Sequence, residues 1–149
     1  MKDRRTAREI AMQVLFQWEA QGQLSQSKIS DIKPTDIEYF LGQFLHNFYY
    51  KDKSKVDIKF SAQLIFGTLH SLKEIDNILN KTSSKWKLSR MDSIDRAILR
   101  LACYELLFQK QLSMRIIINE AIEIAKRYGS EQSSSFINGI LNTLYELNN

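Results

Sequence analysis

The sequence is short of cysteine, proline, glycine and histidine: one, one, five and two in 149 residues. A single cysteine, Cys103, cannot close an internal disulfide. That excludes a disulfide-stapled scaffold and suits a reducing cytoplasm. Cys103 lies in an apolar stretch, where a free thiol behaves as a small buried hydrophobe. With few helix breakers, long helices are favoured. His46 has no second His, Cys or acid at ligand spacing, so no metal site is expected, and His70 is assigned no chemistry. No apolar run reaches the ~18 residues a membrane span requires. The basic, amphipathic N-terminal stretch lacks the apolar core and small-residue cleavage site of a signal peptide. There is no Gly-rich phosphate loop, nucleophile elbow or metal-ligand cluster. Glu120 and Glu123 read as a solvated carboxylate pair, so neither catalysis nor a cofactor is expected.

What remains is a composition of ordinary globular balance, 44% hydrophobic and 26% charged, at a length that fits one domain. The net charge is +4, a mild pointer to an acidic partner such as nucleic acid. The most apolar segment is Ile94–Phe108, IDRAILRLACYELLF. It carries hydrophobic residues on several sides, and such a helix has to be wrapped by others. Asp92 is placed to cap it.

Residues 3–21 show helical spacing through Ala7, Ile10, Ala11, Val14 and Trp18, with Asp3 as a cap and Gly22 as a terminator. Arg5, Met12 and Phe16 form a second flank of this helix, with Arg8 at its edge. Residues 22–33 are expected to be a loop. Beyond Pro34, a capping box at Thr35–Glu38 opens a helix to about Tyr50, with Phe40, Phe44, Phe48, Ile37 and Leu41 as its apolar stripe. Residues 51–59 read as a solvated connector and 57–69 as a helix. A second capping box, Ser71–Glu74, restarts a helix buried through Ile75, Ile78 and Leu79. Residues 80–91 are a polar connector with Lys85, Trp86, Lys87 and Arg90, where Trp86 is expected to anchor the loop to the core. Met114–Tyr128 is a helix with Gly129 as a left-handed C-cap. Ser130 is placed to cap the last helix, 131–147, in which Gly139 points to a close helix contact.

Four of the first eight residues, Lys2, Arg4, Arg5 and Arg8, are cations opposed only by Asp3, a local charge of +3. Guanidinium groups bond phosphates in a forked geometry and stack on bases. A cationic helix start runs against the helix dipole, and a bound polyanion would offset that mismatch. A solvated basic helix start is the plainer alternative.

Several segments together resemble the bacterial NusB antitermination family: RRTAREIAMQVLFQWE at 4–19, IDRAILRLACYEL at 94–106, INEAIEIAKRYGSE at 118–131 and SFINGIL at 135–141. The resemblance implies an all-α, NusB-like fold of two small helical bundles packed into one domain, about 1–80 and 92–149, with the break in the 80–91 connector. It implies an RNA-binding role in transcription antitermination. The partners would be NusE (also a small-subunit ribosomal protein), boxA RNA and the RNA polymerase antitermination complex, including in ribosomal RNA synthesis. Members occur as monomers and dimers, so a homodimer belongs among the implied states. Carried over by position, the family's arginine-rich motif falls on Arg4, Arg5 and Arg8, with Lys2 adjoining, and Thr6 stands where some members have Arg. Phe16 and Phe136 fall on aromatic positions that contact RNA. Asp95, Arg100 and Gln132 fall in the NusE-facing region, Gln132 where some relatives have Asp. Two other classes compete: a protein–protein adaptor without RNA contact, and an accessory domain of an RNA methyltransferase.

Overall fold

The computed structural model describes residues 3–48 and 56–148. Among them are eight α-helices and no strand: α1 (Arg4–Ala20), α2 (Gln26–Ile29), α3 (Pro34–Phe48), α4 (Ile58–His70), α5 (Leu72–Thr82), α6 (Ser93–Cys103), α7 (Met114–Tyr128) and α8 (Ser133–Leu147). They form two compact units, Met1–His70 and Ser71–Asn149. The break expected in the 80–91 connector falls instead between α4 and α5. The amphipathic α5 lays Leu72, Ile75 and Leu79 into the second unit.

In the first unit, α1 and α3 each pack on α4. Small residues let α1 and α4 approach: the buried Ser61 hydroxyl donates to the Ala7 carbonyl at 3.0 Å. Gly22 ends α1 as expected, at φ +70°, where the left-handed backbone favours glycine. The Gln23 N–H reaches the Trp18 carbonyl and the Gly22 N–H that of Glu19, which satisfies two terminal acceptors. The expected loop over 22–33 contains the single turn α2, whose Ile29 is buried. One apolar residue in the four-residue α2 leaves no periodicity to read.

Pro34 occupies the first helical position of α3, and Asp36 reaches back to the Lys33 N–H at 3.0 Å. That bond replaces the expected Thr35–Glu38 box. The buried line of α3 is Ile37, Leu41 and Leu45. Phe40 and Phe44 are half-buried beside it, Phe40 standing edge-on to Trp18 at 5.1 Å between centroids. The helical reading at 49–50 and the lysines at 51, 53 and 55 lie outside the described residues.

In the second unit, α6 packs against α5, α7 and α8, the wrapping its apolar character requires. Asp92 caps it by accepting from the Ile94 N–H at 2.9 Å. From Tyr104 to Gln109 the chain winds as a π-helix and stops at Lys110, which is left-handed at φ 55°. The expected single helix to Phe108 thus changes pitch after Cys103. Gly129 is extended rather than left-handed (φ −92°, ψ −170°). It is needed for space, since an added Cβ would lie 2.6 Å from the Ser133 Cβ and 2.9 Å from the Ala125 carbonyl. Ser130 does not cap α8. Its N–H donates to the Ser133 hydroxyl at 2.9 Å. No atom lies within 4 Å of a Cβ added at Gly139, so no close helix contact accounts for that glycine. Trp86, expected as an anchor, is 52% exposed, and Leu88 and Met91 are the buried residues of the connector.

Candidate nucleic-acid interface

The cationic start of α1 is built on its cap. The Asp3 carboxylate accepts from the Arg5 and Thr6 N–H groups at 2.9 and 3.2 Å and from the Thr6 hydroxyl at 2.7 Å. These bonds, the Thr6 hydroxyl foremost, hold the Asp3 carboxyl below the usual carboxylate range. The anionic cap answers the dipole mismatch, and Thr6 serves it through its hydroxyl and N–H.

With the first turn fixed, Arg4 lies across the edge of α4. Its guanidinium carbon is 4.3 Å from the centroid of the Phe60 ring, and its Nε is 4.0 Å from Asp57 Oδ2. Asp57 also accepts from the Phe60 N–H at 3.1 Å, so one carboxylate caps α4 and neighbours Arg4. The Arg4 side chain remains 50% exposed, and Arg5 is exposed. Both present cations to solvent. Lys2 lies outside the described residues.

Arg8 behaves differently. It is only 5% exposed, its guanidinium carbon 5.0 Å from the centroid of the same Phe60 ring. Met12 is fully buried. The flank read from Arg5 through Met12 to Phe16 is therefore no continuous surface stripe. Phe16, 36% exposed, reappears at the surface about 16 Å farther along the axis than Arg5, eleven residues at the helical rise. Arg8 is thus buried beside Phe60, unlike Arg4 and Arg5.

The remaining candidates belong to the second unit. Phe136 is half-buried on α8 and Gln132 is exposed just before that helix. Asp95, on the first turn of α6, is 6% exposed and bonds the Ser133 side chain, while its Oδ1 has no partner. Burial, with the Asp92 charge adding to it, raises its carboxyl above the ordinary value against the lowering effect of Ser133. Arg100 is 8% exposed and grips Asp76 of α5 through two bonds, Nε at 2.9 Å and Nη2 at 3.0 Å. Its hydrogen-bonding fork is engaged within the unit.

Three residues of this arrangement escaped the sequence. Asp57 and Phe60 have the spacing of a cap and its third residue, a signal that was legible. Asp76 stands 24 positions from Arg100, and no local pattern links them.

The geometry can be set beside known proteins. The model of the NusB family matches residues 5–146. The transcription antitermination protein NusB of Desulfitobacterium hafniense is 47% identical over 143 residues, covering 96% of this chain and 88% of that protein. That of Bacillus subtilis is 38% identical over 142 residues, covering 95% and 93%. The solved structure of T. maritima NusB matches with a TM-score of 0.75 at 37% identity, covering 98% of this chain and 93% of that one. A structure of antitermination factors NusB and NusE in complex with dsRNA matches in fold, with a TM-score of 0.75 at 24% identity and coverage of 97% and 96%.

Proposed function

The chain belongs to the NusB family, and from that premise we propose that it is an RNA-binding transcription antitermination factor which holds boxA RNA jointly with NusE. The observation that carries this reading is the exposed Arg4–Arg5 pair at the capped start of α1, with Arg4 oriented by the Phe60 ring and Asp57. A cation held in place before binding loses less side-chain freedom when a phosphate arrives. Single-stranded RNA is read through unstacked bases, and the exposed ring of Phe16 in the first unit and the half-buried ring of Phe136 in the second each supply a stacking face. Lys2 adds a further cation to the N-terminal sequence. Arg8 neighbours the Phe60 ring.

On this reading NusE docks on the second unit near Asp95 and Gln132. Arg100 contributes by fixing α5 to α6 rather than by touching the partner. The complex then joins RNA polymerase in the cytoplasm, including during ribosomal RNA synthesis. The chain performs no catalytic step.

The adaptor reading predicts a different experiment. Mobility shifts of a boxA RNA are compared for NusE alone, this chain alone and the pair. The RNA-binding reading expects the pair to shift RNA at least tenfold more tightly than NusE alone, and Arg4→Ala with Arg5→Ala to remove most of that gain. If NusE alone retains RNA as well as the pair does, the chain is an adaptor.

A further inference from the structure

The connector between α5 and α6 carries a pattern that the reading above leaves unused. Residues 80–91 hold four cations, Lys81, Lys85, Lys87 and Arg90, and no acid. The segment is also well fixed. The Leu88 N–H donates to Asn80 Oδ1 at 2.8 Å and the Trp86 N–H to the Ser83 hydroxyl at 3.1 Å. Arg96 donates to the Leu88 and Met91 carbonyls at 3.1 and 2.8 Å, and buried Leu88 pins the loop to the unit. Trp86 is thus presented to solvent from a loop tied down on both sides, its indole half exposed on a fixed support.

Beside it lies an open groove of about 500 Å³ within the second unit, between this connector and α8. Trp86 and Phe136 line it, with Lys85, and with Ser135 and Thr143 as hydroxyl donors. No carboxylate lines it. Gly139 also lines it, and the space above its Cα is empty to 4 Å. This accounts for a glycine in the middle of α8 that packing does not require. A side chain there would fill the groove.

We infer that this groove is a base-stacking subsite for single-stranded RNA, in which Trp86 and Phe136 offer ring faces to an unpaired nucleobase, Lys85 meets the adjoining phosphate and Gly139 keeps the floor open. The inference rests on the RNA-binding reading and extends it to Trp86, Lys85 and Gly139. The occupant is RNA rather than a peptide because the lining joins two aromatic rings to the Lys85 cation without any acid, on a connector that carries three more cations, the combination that tracks a polyanion carrying flat bases.

The test uses the full chain with NusE and a boxA RNA oligonucleotide. Trp18→Phe leaves Trp86 as the single indole reporter, since the sequence has two tryptophans. RNA is expected to quench Trp86 emission. Trp86→Ala is expected to weaken binding about fivefold or more, and Trp86→Phe to restore most of it, as a stacking ring does. Gly139→Leu is expected to weaken binding while the melting temperature holds or rises, a separation that a folding defect cannot produce. In the unaltered chain, 5-iodouridine RNA is expected to photocrosslink to the peptide holding Trp86 or Phe136. If the chain with NusE binds RNA but both variants bind equally well, the subsite does not exist and the α1 reading stands. If NusE alone quenches Trp86 and RNA adds nothing, the groove belongs to a protein and the inference falls. If the chain with NusE binds no RNA, both readings fall together.

Discussion

Burial decides what a cation can do. Arg4, Arg5, Arg8 and Arg100 are the same residue, yet two face solvent and two are engaged inside their units. Arg100 is the clearest case, since both arms of its fork meet one Asp76 carboxylate. Hydrogen bonds to charged groups contribute more than neutral ones, so Arg100→Ala is expected to lower unfolding stability by about 2 kcal/mol in urea titrations. Arg100→Lys is expected to recover little, because an ammonium cannot reproduce the two-armed bond. Full stability in Arg100→Ala with loss of NusE binding would restore its role as an outward contact. Asp95 gives the opposite case, a carboxyl whose raised pKa follows first from burial. Its folded form holds the proton more tightly than the unfolded form, so stability falls as pH rises from the ordinary carboxylate range through the raised value, and stays lower above it. Asp95→Asn is expected to remove that loss, seen as a flatter melting temperature between pH 4 and pH 7. An unchanged pH profile would contradict the burial argument. These roles were invisible in the sequence because a cation's letter carries no burial, and partners such as Asp76 come from another helix.

At the scale of the element, spacing was enough for most helices. Ala7, Ile10, Ala11 and Val14 marked the buried side of α1, and Ile75 and Leu79 that of α5. Residues with an unambiguous local chemistry also read correctly: Asp3, Asp92 and Gly22 do what their types dictate. Glycines 129 and 139 did not, because one answers to the side chain of Ser133 four residues on and the other lies beside an open groove. Neither circumstance is a backbone preference. The pitch change after Cys103 likewise leaves no periodic mark. The cap of α1 supports a direct expectation. Asp3→Ala should destabilise the protein by about 1 kcal/mol in urea unfolding. Because the folded state depresses this carboxyl, its contribution is present above the ordinary carboxylate pKa and is lost as pH falls through the lowered one. The gap between Asp3→Ala and the unaltered chain should therefore close in acid. A gap that persists when the carboxylate is protonated would mean that the cap is not electrostatic.

For the whole molecule, the charge is concentrated rather than spread. The first eight residues carry +3, and the connector over 80–91 carries four cations with no acid. Each unit thus has a basic segment and an exposed ring on the same element, Phe16 farther along α1 in the first and Trp86 within the connector itself in the second. The sequence showed both clusters. It could not show that the middle of α1 is covered, which takes Arg8 and Met12 out of solvent. Nor did it place α5 with the second unit, since a helix's apolar face does not say which neighbour it meets. The family match explains why the fold was readable from four short segments, whereas the roles of individual side chains had to wait for their burial.

The measurement that bears most directly on the α1 surface is the salt dependence of boxA RNA binding by this chain with NusE. Each phosphate contact on a single strand adds about 0.7 to the negative slope of log binding constant against log salt concentration. Removing Arg4 and Arg5 together is expected to weaken binding at low salt and to flatten that slope by about 1.4, two phosphate contacts. A double variant whose slope equals that of the unaltered chain would contradict the account, because the exposed cations of α1 would then touch no phosphate.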